Sequence, residues 1–187
     1  MNFKILNPII AALVFLSVGS VSTAEAGEIT VGQSFIVYSG EVVEGDVDKL
    51  DSVLKKTGPT LVFLNSGGGS VQAGLDMMEL IYNSGSNTMV VEGDKCLSIC
   101  ASMWLGGHQR LSEGSLGVHQ PFLMPEYAVS LTQYEYANEV MKTLAYMIYR
   151  VENLGITVDP MFWMALASTF AGEMYVFTEE DLTYLEQ

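Results

Sequence analysis

The 187-residue sequence carries 22 Asp and Glu against 8 Lys and Arg, for a formal net charge of −14, and 49% of its residues are hydrophobic. That length suits one domain with a sizeable core. The acidity, with no cluster of Lys and Arg, excludes the electrostatics that nucleic acids and anionic lipid surfaces require.

The first segment, MNFKILNPIIAALVFLSVGSVSTAEAG, places Lys4 before an apolar run from Ile5 to Val18, broken only by Asn7, Pro8 and Ser17. Ala24-Glu25-Ala26 then supplies the small-residue pattern of a cleavage site. The run falls short of the roughly 20 residues a comfortable membrane span needs. It therefore reads as a secretory signal over 1–26, with a retained anchor as the alternative, and 27–187 as the mature chain with no stable membrane span. Export to a periplasm or beyond would put both cysteines, Cys96 and Cys100, in an oxidising compartment.

The mature chain alternates in character. Ser34 to Val42 is β-branched and aromatic and reads as a strand. Asp46 to Lys56 sets Val47, Leu50, Val53 and Leu54 at helical spacing. Thr60 to Ser66 is a continuous apolar run, as in a strand covered on both faces. Ser70 to Gly85 returns to helix, with Val71, Leu75, Met78, Leu80 and Ile81 apolar. Asn87 to Gly93 reads as strand, Leu97 to Gly107 as helix, and Ser115 to Gln120 as strand. The order β-α-β-α-β-α-β predicts an α/β fold with a mostly parallel sheet flanked by helices. Helices follow over about Ser130 to Asn153 and Asp159 to Phe170. A short apolar piece, Met174 to Phe177, precedes a last helix that Thr178 and Asp181 would cap.

In open parallel sheets, chemistry gathers at the carboxyl ends of strands. The loop NSGGGS, Asn65 to Ser70, sits at one such end. Three consecutive glycines permit positive φ and let backbone N–H groups face a ligand. The loop lacks the G-K-[ST] ending of a phosphate loop. The stretch KCLSICASMWLGG, with Ser98 midway between the cysteines, follows another strand, and His119 ends a third. A fourth feature is GEMYVF, Gly172 to Phe177. Taken singly, a glycine turn, a serine in a small-residue helix and a lone histidine are ordinary structural residues; their succession at different strand ends is what points to chemistry.

LVFLNSGGGSVQAGLDMMELI and SICASMWLGGHQRLSEGSLGVHQP resemble the corresponding segments of the Clp-protease proteolytic subunits, in the ClpP/crotonase superfamily. The likeness runs from about Ser34 to Pro121 and only loosely beyond. The C-x-S-x-C variant looks most like a secreted, ClpP-like branch of that superfamily. The resemblance implies a ClpP/crotonase-like domain over 27–187 and a serine peptidase without metal or cofactor, its partner a peptide or protein substrate. Ser98 would be the nucleophile, His119 the general base in preference to His108, and the N–H groups of Gly68 and Ile99 the oxyanion hole. Glu173 would complete the triad, with Asp159 as the fallback. Gly67 stands where the family usually has proline. Such proteins assemble into rings or stacked trimers, so a homo-oligomer is expected, and the Tyr- and Met-rich stretch Tyr134 to Tyr149 could serve either an interface or the core. Cys96 and Cys100, four apart, are expected to form a disulfide across the nucleophile turn, two free thiols being the alternative. A non-catalytic binding protein on the same fold and an acyl-thioester enzyme of the crotonase type are the rival functions.

Overall fold

The computed structural model of the protein describes residues 26–186, so the signal segment read over 1–26 lies outside the described residues except for Ala26. Five strands, β1 (Glu28–Val31), β2 (Phe35–Ser39), β3 (Leu61–Asn65), β4 (Asn87–Val90) and β6 (Arg110–Ser112), form one sheet in the order β1-β2-β3-β4-β6. Only β1 runs antiparallel to its neighbour; the other pairs are parallel. A second sheet of three strands has the order β5-β7-β8, from β5 (Lys95–Leu97), β7 (Ser115–Val118) and β8 (Tyr175–Val176).

The α/β class and parallel crossovers match the expectation, but one continuous sheet does not form. After β4 the chain turns through Glu92 to Asp94 and pairs β5 with β7, while β6 returns to the first sheet. The sheets meet at a single bridge, where Ser66 N donates to Lys95 O at 2.7 Å and Leu97 N to Ser66 O at 3.0 Å. That junction carries the glycine loop, just past β3, to the turn that follows β5.

The helices pack where their apolar stripes dictate. α1 (Gly45–Thr57) buries Leu50 and Leu54, with Asp46 and Asp48 in its first turn and Lys55 and Lys56 in its last, each complementing the helix dipole. α2 (Val71–Asn83) begins at Ser70, whose hydroxyl accepts from Ala73 N at 3.3 Å. It packs on α3 (Ile99–Leu105), where Gly74 lies so close to Ile99 that a Cβ would collide with that side chain. α3 is buried throughout, and Trp104 fills the core while its Nε1 donates to Leu111 O at 3.0 Å. A single-turn α4 (Pro125–Ala128) leads to α5 (Gln133–Asn153), which carries a capping box between Thr132 and Glu135. α6 (Pro160–Ser168) and α7 (Glu179–Leu185) follow, and the Thr178–Asp181 box caps α7. Among the described residues no helix is long and apolar enough to cross a membrane.

Candidate active site

Ser98 links β5 to α3 with φ 57° and ψ −128°, and among the described residues no other non-glycine residue has positive φ. A conformation of this kind costs about 1–3 kcal/mol and persists only where the surroundings impose it. Here they do: Ser98 N–H donates to Gly117 O at 2.9 Å, and Ser98 O accepts from Ala101 N at 3.0 Å. A disulfide joins Cys96 on β5 to Cys100 on α3, with Cα atoms 5.0 Å apart, so the turn is closed covalently on both sides of the serine. Leu97, read from sequence as the start of the helix, belongs to β5 with Cys96, and α3 begins at Ile99.

The glycine loop is clamped from the opposite side. Val42 N donates to Gly68 O at 2.9 Å and Ser70 N to Val42 O at 2.8 Å. Gly68 has φ 103°, and a Cβ there would stand 2.7 Å from Ser98 Cβ. A Cβ on Gly69 would collide with the Val42 carbonyl oxygen. These positions require glycine because the loop backbone lies directly against the serine and against the segment after β2. Ile99 opens α3, so its N–H belongs to the first turn, which has no intrahelical acceptor. The Gly68 N–H is engaged: it donates to Ser66 Oγ at 3.1 Å, and Ser66 is buried.

His119 follows β7 and is half-buried, its ring stacked on Phe122 with centroids 5.9 Å apart. Its Nδ1 lies 2.8 Å from Gln120 O. A carbonyl oxygen only accepts, so Nδ1 carries a proton, and in the neutral ring the lone pair then sits on Nε2. Gln120 is held on its other side as well, since its N–H donates to Thr169 O at 2.9 Å at the end of α6. A backbone carbonyl thus occupies the orienting position at Nδ1.

Ser98 and His119 line the same two adjoining cavities, of about 520 Å³ and 450 Å³. Gly67, Gly68 and Gly69 line the first, and Val42, Val71 and Met124 are among the walls of the second. Glu41 and Phe122 border both. Glu44 lies at the rim of the second, its carboxyl held below the ordinary range chiefly by the Ser70 hydroxyl, which donates at 2.7 Å.

The other residues singled out from sequence lie elsewhere. Glu173 is exposed before β8, its N–H donating to Phe170 O at 2.9 Å, and among the described residues its carboxylate makes no hydrogen bond to His119. Asp159 caps α6 by accepting from Met161 N at 2.8 Å and lines a separate cavity with Met164 and Tyr175. His108 stacks on Tyr82 and reaches Tyr82 O at 2.9 Å, lining another cavity with Arg110 and Ile156. Sequence reasoning missed Glu41 and the Gln120 carbonyl. Glu41 belongs to no motif, and Gln120, although it stands in GVHQP, contributes a main-chain oxygen that residue type does not reveal.

No protein-family profile matches the chain, and no curated protein sequence matches it. Solved structures do: a ClpP1 mutant from Listeria monocytogenes superposes with a TM-score of 0.59 at 16% identity, over 81% of this chain and 86% of that one. At that identity the likeness speaks to architecture, and the chain has a ClpP-like α/β fold.

Proposed function

We propose that this protein is an exported serine hydrolase, a peptidase that works through an acyl-enzyme on Ser98. One observation carries the reading: Ser98, held at a strained strand–helix turn, shares a cavity with the glycine loop and with a histidine whose Nε2 is free to accept a proton. His119 Nε2 would take the Ser98 hydroxyl proton as Oγ bonds to the scissile carbonyl carbon. The proton then passes to the leaving amine as the C–N bond breaks, and water releases the acyl group by the same steps in reverse. The Ile99 N–H, and the Gly68 N–H once it leaves Ser66 Oγ, would bind the oxyanion. With a neutral carbonyl rather than a carboxylate at Nδ1, the imidazolium gains less stabilisation, so slow turnover is expected.

A second reading, a non-catalytic binding protein on this fold, is favoured by the engagement of Gly68 N–H with Ser66. A fluorophosphonate probe separates the two. The hydrolase labels at Ser98, loses the label in Ser98→Ala, and labels about 10²–10⁴-fold more slowly in His119→Gln. A folded wild type that takes no label is the binding protein. We further propose a periplasmic or secreted location and a homo-oligomer built through the outer face of α5, where Tyr134, Met141 and Tyr149 are exposed.

A further inference from the structure

Asp46, at the start of α1, is fully buried. Its Oδ2 accepts from Tyr38 Oη at 2.9 Å and from Gly27 N at 3.1 Å, while Oδ1 receives Lys49 Nζ at 2.8 Å. The Lys49 side chain is 55% exposed, so solvent weakens the one cationic partner of a carboxylate that is otherwise held by neutral donors. Burying a carboxylate with so little compensating charge is costly. Gly27 is itself buried, and a Cβ there would run into the Tyr38 ring and hydroxyl, so the position admits only glycine. The peptide bond whose nitrogen faces this carboxylate is the one that ends the Ala24-Glu25-Ala26 pattern. A sequence signal and an under-compensated buried charge thus coincide at one bond.

We propose that Asp46 and Tyr38 form a receptor for the chain's own α-ammonium group, created at Gly27 when the segment ending at Ala26 is removed. The step is hydrolysis by a signal peptidase of the export route. The Ala26 C–Gly27 N bond breaks, water supplies hydroxyl to the Ala26 carboxyl and hydrogen to the nitrogen, and the amine takes a further proton from solvent. A neutral amide donor becomes a full positive charge beside Asp46 Oδ2. The groups facing it are Asp46 and Lys49 of α1, Tyr38 of β2, and Glu41, whose carbonyl accepts from Tyr38 Oη at 2.9 Å. Processing also removes Ala26, which bridges the backbone of Glu41. Glu41 lines both cavities at Ser98, and its neighbour Val42 clamps the glycine loop, so maturation acts on the segment that supports the candidate site. The inference rests on the export reading and not on catalysis.

The test uses the full chain, exported and purified, with its N-terminus sequenced; Gly27 is the expected first residue. The ammonium gains Asp46 on folding, so its folded pKa lies above the unfolded value of about 8. Its contribution to stability is whole below pH 8 and is lost as pH rises through the folded value. The melting temperature of the processed protein should fall by about 5 °C across that rise, and in Asp46→Asn the fall should vanish. Should Asp46→Asn not fold, the wild type suffices: at pH 8 the Gly27 amine should react with an acylating reagent about tenfold more slowly in folded than in urea-unfolded protein. A different N-terminus, or an amine that acylates equally fast in both states, overturns the proposal. Fluorophosphonate labelling is read separately on the same sample, so failure of the hydrolase reading is told apart from failure of this one.

Discussion

At Gly68 and Ser66 the candidate site is decided by single atoms. Gly68→Ala would bring a Cβ to 2.7 Å from Ser98 Cβ and 3.0 Å from Leu97 O, in a backbone conformation with φ 103° that alanine resists. We expect this change to cost about 1–3 kcal/mol, read by denaturant unfolding, and to abolish labelling of Ser98. Ser66→Ala acts in the opposite sense. It deletes the acceptor that holds the Gly68 N–H at 3.1 Å and leaves that donor available to an oxyanion. Labelling of Ser98 should accelerate in Ser66→Ala, and an unchanged rate would mean that Gly68 N–H takes no part. Ser98, His119 and the glycine loop could be read from sequence because residue type and order carry them. The group at His119 Nδ1 could not: Gln120 contributes a main-chain oxygen, which has no signature in residue type, whereas a search for side-chain acids leads to the exposed Glu173.

Among the elements, β5 and α3 depend on the bond between Cys96 and Cys100. Replacing both cysteines with serine should cost about 2 kcal/mol by the entropy of so short a loop, measured by urea unfolding, and should slow labelling of the serine between them. α7 responds to acid. The Asp181 carboxyl lies below its ordinary value chiefly because the Thr178 N–H donates to it at 2.9 Å. Its contribution is therefore present above the unfolded carboxylate pKa and is lost as pH falls through the lower, folded one. The protection of the first-turn amides of α7, taken relative to their intrinsic exchange rates, should fall as the pH drops from 5 to 3, and Asp181→Asn should show that loss of protection already at pH 7. α1, α2 and α5 were legible because each is long enough to display a period, and β2, β3, β4 and β7 because apolar or β-branched runs mark them. β5 and β6 were not: with 3 residues each they have no pattern to read, and like β1 they owe their existence to pairing with other strands.

Over the whole molecule, the division into two sheets was the feature furthest from view, because it turns on the long-range bridge between Ser66 and Cys96 rather than on any local pattern. The helical half is anchored by Arg150 of α5, whose guanidinium reaches Asp76 at 2.9 Å and Glu79 at 2.8 Å on α2. α5 buries Val140, Leu144, Met147 and Val151 yet exposes Tyr134, Met141 and Tyr149, so the stripe seen in sequence divides between core and surface. If that surface joins copies of the chain, light scattering should find an oligomer that Met141→Glu with Tyr149→Lys reduces to a folded monomer. The backbone at Ser98 carries the broadest consequence. A domain of this size has a net stability of only about 5–15 kcal/mol, so a residue held at φ 57° withholds a measurable part of it. Ser98→Gly would return that part, yielding a protein that melts higher and labels not at all. A serine where glycine would be the easier residue is what the proposed nucleophile role demands, with stability the lesser requirement at that position.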